Sequence, residues 1–220
     1  MVQPGGIAGK AGRAWRRLRS DGPGGWLRHY LRRVGFQLVP YYYVRERLPE
    51  DLPSSLTALP EGFEFARFGE AEIAELGGLP ANDETASEAL MRQRLQAGHS
   101  CLGMKHRGSI VAYTWFALDE TQTRLYPVAL QPNEAYLFNM YVEPDHRGHN
   151  LAVMMRYRCY EALRDLGRDT FYSVTITSNK PSWRFKQKLG ATRLFLGLYL
   201  QLFQKFEGRW IVWRCQHSVP

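Results

Sequence analysis

The chain has 220 residues, 45% of them hydrophobic, which allows one medium-sized domain with a real core and leaves room for an appendage. No apolar run approaches the roughly twenty residues of a membrane span, and the N-terminus lacks a signal peptide's apolar stretch, so a soluble or membrane-peripheral protein is expected. The formal net charge is +8, and residues 1–48 carry all of it: ten Lys or Arg stand there against two acids, while the other 172 residues balance at 19 against 19.

In chain order, Ala11, Ala14, Trp15 and Leu18 form one helical stripe. Asp21 to Gly25 breaks it, and Trp26, Leu27, Tyr30, Leu31, Val34 and Leu38 form a second, faced by Arg28, Arg32 and Arg33. Two basic amphipathic helices are expected. They suit an anionic membrane surface, an acidic partner, a nucleic acid backbone or packing on the rest of the chain. Pro40 to Ser55, with Tyr41-Tyr42-Tyr43 and three prolines, reads as a partly extended connector. Residues 1–59 are therefore assigned to an extension and connector, and 60–217 to the body.

In the body, Gly62 to Phe68 alternates as a strand does, Ala71 to Leu76 and Thr85 to Leu95 look helical, and Ser100 to Lys105 and Ile110 to Leu118 flank the hairpin turn His106-Arg107-Gly108-Ser109. Strands at 170–177, 191–203 and 209–215 and a helix at 181–189 follow. Cys101, Cys159 and Cys215 are odd in number and far apart, which fits reduced thiols and neither a disulfide framework nor zinc-ligand spacing. No metal is expected.

The most informative stretch is Tyr136 to Leu166. Tyr136 to Val142 is apolar on both alternating faces, as in a strand covered on both sides, and Pro144 ends it. From Leu151 the period changes: Leu151, Met155, Cys159, Ala162 and Leu166 make a helical stripe, with Arg156, Arg158, Arg164 and Asp165 on the other side. A helix beginning where a strand ends points unpaired N–H groups and the positive end of its dipole into the crevice beyond the strand, where anions bind. Arg147, Gly148 and His149 add a cation, a residue over which backbone can approach a ligand, and a further donor, as a pyrophosphate requires.

This order of residues resembles motif A of the GNAT acetyltransferase superfamily, Gln/Arg-x-x-Gly-x-Gly/Ala after a strand ending hydrophobic-Val-x-Pro. Tyr141-Val142-Glu143-Pro144 and then Arg147-Gly148-His149-Asn150-Leu151-Ala152 supply it, with Asn150 where the family prefers Gly. Asn is the non-Gly residue that best tolerates a left-handed backbone. The next segment resembles the family's Asn-x-x-Ala/Ser and Lys-x-Gly signature: Asn179, Ser182, Phe185, Lys188, Leu189 and Gly190 agree in register. Asn179 also suits a helix cap, Pro181 an early helical position and Gly190 the residue after a helix. The resemblance covers roughly Glu61 to Cys215 and implies an α/β fold, a mixed, mostly antiparallel sheet flanked by helices.

The resemblance implies acetyl-CoA as acyl donor and direct attack on its thioester by an amine. Backbone N–H groups next to Met140 and Val142, in the strand that includes Tyr141, would polarise the thioester, and the 147–152 loop would hold the pyrophosphate, with Asn179, Ser182 and Phe185 beside it. Lys186 stands where the family often has a tyrosine that protonates the departing thiolate. It is expected as a solvated helix residue, or, if inward, as a charge that stabilises the thiolate, with Tyr157, Tyr160 or Tyr199 as substitute hydroxyls. Asn139 is expected in the strand core facing the acceptor, and Glu134 and Glu143 are the nearest carboxylates for a base. The alternative is a non-catalytic GNAT fold acting as an acyl-CoA-binding or interaction module recruited by its basic helices. A cytoplasmic location is expected, with a possible place at the inner face of the membrane.

Overall fold

In the computed structural model, the described residues are 35–77, 87–203 and 205–215. The two basic helices expected before residue 35 lie outside them. The chain divides into two compact units, residues 41–197 with 211–220, and residues 1–40 with 198–210. Among the described residues, eight strands form one sheet, in order across it β2 (Phe63–Phe68), β3 (Ser100–His106), β4 (Ser109–Ala117), β5 (Glu134–Val142), β6 (Thr170–Ile176), β1 (Phe36–Glu46), β7 (Thr192–Leu202) and β8 (Phe206–Arg214).

In the larger unit, β2 (Phe63–Phe68), β3 (Ser100–His106) and β4 (Ser109–Ala117) run antiparallel in succession. Arg107 and Gly108 both take positive φ, 50° and 85°, in the two-residue loop joining β3 to β4, as a tight hairpin with the sheet's own twist demands. β5 (Glu134–Val142) pairs antiparallel with β4, and β6 (Thr170–Ile176) pairs parallel with β5. Helix α1 (Ser54–Thr57) is one turn, α2 (Glu70–Gly77) and α3 (Glu88–Gln96) precede the hairpin, α4 (Leu151–Asp165) links β5 to β6, and α5 (Lys180–Lys188) follows β6.

The apolar residues divide into two layers. Ala135, Leu137 and Phe171 join Leu151, Met155, Cys159 and Leu163 of α4, while Phe68, Tyr113 and Trp115 join Ile73 and Leu76 of α2 and Met91 of α3. The alternation of β5 assigns its residues to opposite layers, so one strand seals both.

The first part of the expected connector, residues 40–46, is a strand of the sheet. β1 (Phe36–Glu46) includes Tyr41 to Glu46, which pairs antiparallel with β6 from Ile176 to Phe171. The tyrosines alternate as a sheet requires: Tyr43 stacks on Tyr172 and Phe195, while Tyr42 lies against Trp183 of α5. Residues 36–38, placed by the helical stripe at the end of a helix, are strand as well.

The smaller unit holds residues 36–40 of β1, 198–202 of β7 (Thr192–Leu202) and 206–210 of β8 (Phe206–Arg214). There Gly35, at φ 79°, sits against the backbone of Phe203, where a side chain on residue 35 has no room. Phe203, Phe206 and Trp210 are exposed.

Candidate active site

β5 and β6 are hydrogen-bonded over only three residues each, Glu134–Tyr136 against Thr170–Tyr172. Beyond Tyr136 the strands part, and Leu137 to Val142 keep β4 as their one partner strand. A crevice opens between them. Within the same stretch β5 carries a bulge: Trp115 opposes Phe138 and Tyr113 opposes Tyr141, so three steps on β5 match two on β4. The bulge centres on Asn139, at φ 47°. A bulge takes the backbone groups of the extra residue out of the regular ladder.

At the end of β5 a 3-10 turn, Pro144–His146, leads into the loop. Gly148 has φ 87° with nothing within 4 Å of where a Cβ would stand, and Asn150 is left-handed at φ 59°, ψ 11°. The left-handed loop therefore forms with Asn in the usual Gly position. Asn150 does not cap the helix through its side chain; its Oδ1 accepts from Lys188 Nζ of α5 at 2.6 Å. The α4 ladder begins with Val153 N–H on the Asn150 carbonyl, so the N–H groups ahead of Val153 are not used by the helix itself. The open strand edge, the unobstructed Gly148 and this helix N-terminus together fit the pantetheine and pyrophosphate of a CoA ester. Arg147 folds back, Nε donating to the Val142 carbonyl at 2.8 Å and the guanidinium 5.8 Å from the Tyr141 ring.

The second signature also takes its expected local form. The Asn179 side chain accepts from Ser182 N–H at 3.1 Å, Pro181 lies in the first turn, and Gly190 has φ 69° just after α5. Phe185 packs on the core beside α4, with the Arg156 guanidinium 5.6 Å from its ring.

Lys186 is not a solvated helix residue: it is 2% exposed. Its Nζ donates to Ser173 Oγ and Thr175 Oγ1 of β6, both at 2.7 Å, and lies 3.7 Å from Glu46 Oε1. Arg156, assigned by helical periodicity to the polar side, is likewise 2% exposed, its Nε 3.5 Å from Glu46 Oε2. Both corrections have one cause. β1 delivers the Glu46 carboxylate into the layer between sheet and helices, where Tyr160 and Ser173 also donate to it. One buried carboxylate thus serves two buried cations, and Arg156 Nε and Nη1 make no hydrogen bond among the described residues. Although burial opposes ionisation of Glu46, the Arg156 and Lys186 charges prevail and hold its carboxyl below the ordinary range. For Lys186 burial prevails over the pull of Glu46 and pushes its pKa down to about 8.

The carboxylates expected as bases are dispersed. Glu134 lies within β5 at the end opposite the bulge, accepting from Tyr172 Oη at 2.9 Å and from Gln131 N–H at 2.9 Å. Glu143 stands just past β5, at the loop end. Asn139 is exposed rather than in the strand core, because the bulge rotates it out. With its amide oxygen turned toward α3 it accepts from Arg94 Nη1 and Nη2 at 2.9 and 2.8 Å. Tyr160 and Tyr199 are buried, and the Tyr160 hydroxyl is committed to Glu46.

Sequence reasoning missed Glu46, Arg94 and His99. The Arg94 guanidinium lies 5.5 Å from the Trp115 ring and 5.4 Å from Phe138. His99 stands edge-on to the same Phe138 at 5.9 Å. No local motif marks any of the three. Among the described residues no group of three or more His, Cys, Asp or Glu is placed to hold a metal ion, and no helix is long and apolar enough to cross a membrane.

The profile of the Acetyltransferase (GNAT) family matches residues 69–191. Among solved structures, a GNAT-family acetyltransferase from Colwellia psychrerythraea aligns at TM-score 0.52 and 15% identity, covering 76% of this chain and 56% of that one. An N-acetyltransferase-like protein from Streptococcus suis aligns at TM-score 0.55 and 14% identity, covering 81% and 68%. The glucosamine N-acetyltransferase region of a fungal multi-domain beta-N-acetylglucosaminidase aligns at TM-score 0.56 and 13% identity, covering 83% and 23%. The chain spans 65% of a Novosphingobium aromaticivorans structure and 58% of a Drosophila one, less than two thirds of each. At these identities the likenesses show the fold. No curated protein sequence gives a significant match.

Proposed function

The chain belongs to the GNAT acetyltransferase family, and from that premise we propose that it transfers an acetyl or related acyl group from acyl-CoA to an amine by direct attack. The observation that carries this reading is the parting of β5 from β6 after Tyr136, with the Asn139 bulge on the open edge and the Gly148 loop at its end. In this reading backbone donors of Met140 and Val142 meet the thioester carbonyl, where negative charge develops as the amine attacks. The N–H groups of the 148–152 segment and the start of the α4 dipole hold the pyrophosphate.

Lys186 is assigned to the departing thiolate. Its ammonium is anchored on Ser173 and Thr175, residues of β6 on the stretch beyond its last pairing with β5, and so belongs to the wall of the crevice. A lowered pKa near 8 lies close to that of a thiol, about 8.5, so a proton moves between the two with little cost either way. Glu46 and Arg156 position Lys186 and touch no substrate.

The test is titration calorimetry with acetyl-CoA followed by thiol release from a panel of CoA esters against an amine library. Binding together with amine-dependent release supports transfer. Binding with no release from any pair would make the chain an acyl-CoA-binding module. We further propose that residues 1–34, with their basic charge, recruit the protein to an anionic membrane surface or acidic partner from the cytoplasmic side, because the rest of the chain offers no comparable charge excess.

A further inference from the structure

In the smaller unit, the hairpin of β7 and β8 is polar on one face and apolar on the other. Gln201 Nε2 donates to Glu207 Oε1 at 3.5 Å, and the Arg209 guanidinium lies 5.5 Å from the Tyr199 ring. These contacts put residues 199, 201, 207 and 209 on one face, so strand alternation puts Leu198, Leu200 and Leu202 with Phe206, Gly208 and Trp210 on the other. The leucines are half-buried, whereas Phe206 is 53% and Trp210 47% exposed. The Trp210 indole lies across Gly208, where any side chain would collide with it, so the apolar surface runs on from Trp210 toward Phe206.

The turn adds a third ring. Phe203 takes φ 51°, a region that bulky residues avoid, and is 71% exposed. Lys205, also exposed, stands two residues on. The preceding chain arrives at the same place, since a Cβ on Gly35 would stand 2.8 Å from Phe203 Cα. Residues 1–34, which join the described residues there, carry eight Lys or Arg against Asp21 alone. Three exposed aromatic rings therefore stand in the smaller unit where a strongly cationic segment enters it.

We infer that the β7–β8 hairpin seats its apolar face in the interfacial layer of an anionic membrane, with Phe203, Phe206 and Trp210 as the inserted side chains. Aromatic rings accompanied by cations are what that layer takes up: the rings enter the boundary between headgroups and acyl chains, and each Lys or Arg near the anionic surface adds attraction. A second copy of the chain is a poorer occupant of the same face, because it would bring two cationic segments together. The insertion goes beyond recruitment by residues 1–34 and rests on that reading for the sign of the lipid charge. Phe203, Phe206 and Trp210 carry the rest.

The experiment sediments the full chain with vesicles of phosphatidylcholine and phosphatidylglycerol in equal parts, at low and at high salt. Wild type is expected to bind at low salt and to keep a measurable share at high salt. Phe203→Asn with Phe206→Thr, which suit a left-handed residue and a strand, should lower the partition coefficient about tenfold and remove the high-salt share, with melt and acetyl-CoA affinity unchanged. Brominated lipid in the same vesicles reads Trp210 in an unaltered hairpin, as quenching present in wild type and missing from Trp210→Phe. Partition of the double variant equal to wild type, equal quenching of wild type and Trp210→Phe, or a wild-type dimer that the double variant dissociates would overturn the insertion. Arg28→Gln with Arg32→Gln and Arg33→Gln tests the basic segment separately and should remove the salt-dependent share. If that share survives, the recruiting role of residues 1–34 falls and the insertion stands, whereas no binding of wild type at either salt would sink both.

Discussion

Glu46 Oε1 and Lys186 Nζ lie 3.7 Å apart where neither side chain is more than 2% exposed, and Arg156 shares the same carboxylate. Two cations and one anion in a buried layer make Glu46 the member whose loss costs most. Glu46→Gln keeps the shape and removes the charge, leaving two buried cations uncompensated. Breaking a buried pair this way costs about 3–5 kcal/mol, and a denaturant melt should register a loss of that order. A change under about 1 kcal/mol would mean that water reaches the cluster.

The same cluster fixes a pH dependence of opposite sign to the usual lysine. Lys186 has its folded pKa pushed down to about 8 against roughly 10.4 unfolded, so between those values the unfolded chain binds more protons than the native one. Taken alone this makes stability rise from about pH 8 toward 10, but the buried Cys101 and Cys159 thiols, both pushed up by burial, subtract from it once the unfolded thiols ionise at about 8.5, so the Lys186 contribution is read as the difference between wild type and variant. Glu46 acts at the other end: its lowered pKa contributes stability that is present above the unfolded value near 4.3 and lost as pH falls through the folded one. Lys186→Met should remove the positive Lys186 contribution, so that the variant's stability falls relative to wild type as pH rises from about 8 to 10. An identical slope in wild type and variant would assign it to other groups.

Turnover separates the structural and catalytic roles of Lys186. If it serves the departing thiolate, Lys186→Met should lower kcat about a hundredfold or more while acetyl-CoA affinity stays within twofold. Lys186→Tyr supplies a hydroxyl but strips Glu46 of one of its two cations, so it should retain more turnover than Met and still melt earlier than wild type. Parallel losses of kcat and affinity in both variants would leave Lys186 a structural residue.

Gly148 tests the pyrophosphate site. Gly148→Glu should weaken acetyl-CoA binding at least tenfold, about 1.4 kcal/mol, by repelling the phosphates. Because φ 87° strains any side chain, Gly148→Ala supplies the measure of strain alone and should cost clearly less affinity. Equal effects of Ala and Glu would remove the electrostatic part of the argument.

Two truncations divide the basic segment. Removing residues 1–34 should leave the acetyl-CoA site folded and abolish salt-sensitive sedimentation with anionic liposomes, since exposed charges are screened beyond roughly 8 Å at physiological ionic strength. Removing residues 1–48 also takes away β1 and Glu46, and should prevent cooperative folding. Similar melts for the two would contradict the place of β1 in the sheet.

What could be read from the sequence was what neighbours in sequence determine. The β5 pattern, Pro144, the loop at 147–150 and the stripe of α4 are contiguous, and the Asn179 cap and Gly190 act within a turn of their helix; all stand where the residues put them. Glu46 could not be read this way, because its partners Tyr160 and Ser173 are 114 and 127 residues away. Without them, Arg156 and Lys186 look like any charged residues on a helix, and Tyr41-Tyr42-Tyr43 beside a proline looks like a connector. Asn139 was misplaced for a different reason: strict alternation holds only until a bulge adds a residue, and nothing local announces the bulge.

The position of β1 between β6 and β7 also sets a timetable. A ribosome finishes β1 at Glu46 but reaches its first partner strand only at Thr170, 124 residues later (170 − 46), and at roughly 5–20 residues per second that is an interval of about 6–25 s. For that time Tyr41 to Val44, a strand with open hydrogen-bonding edges on both sides, has emerged with nothing of its own chain to pair with. Nascent-chain pulldown at stalls placed before and after residue 176 should find chaperone bound in the first case and released in the second.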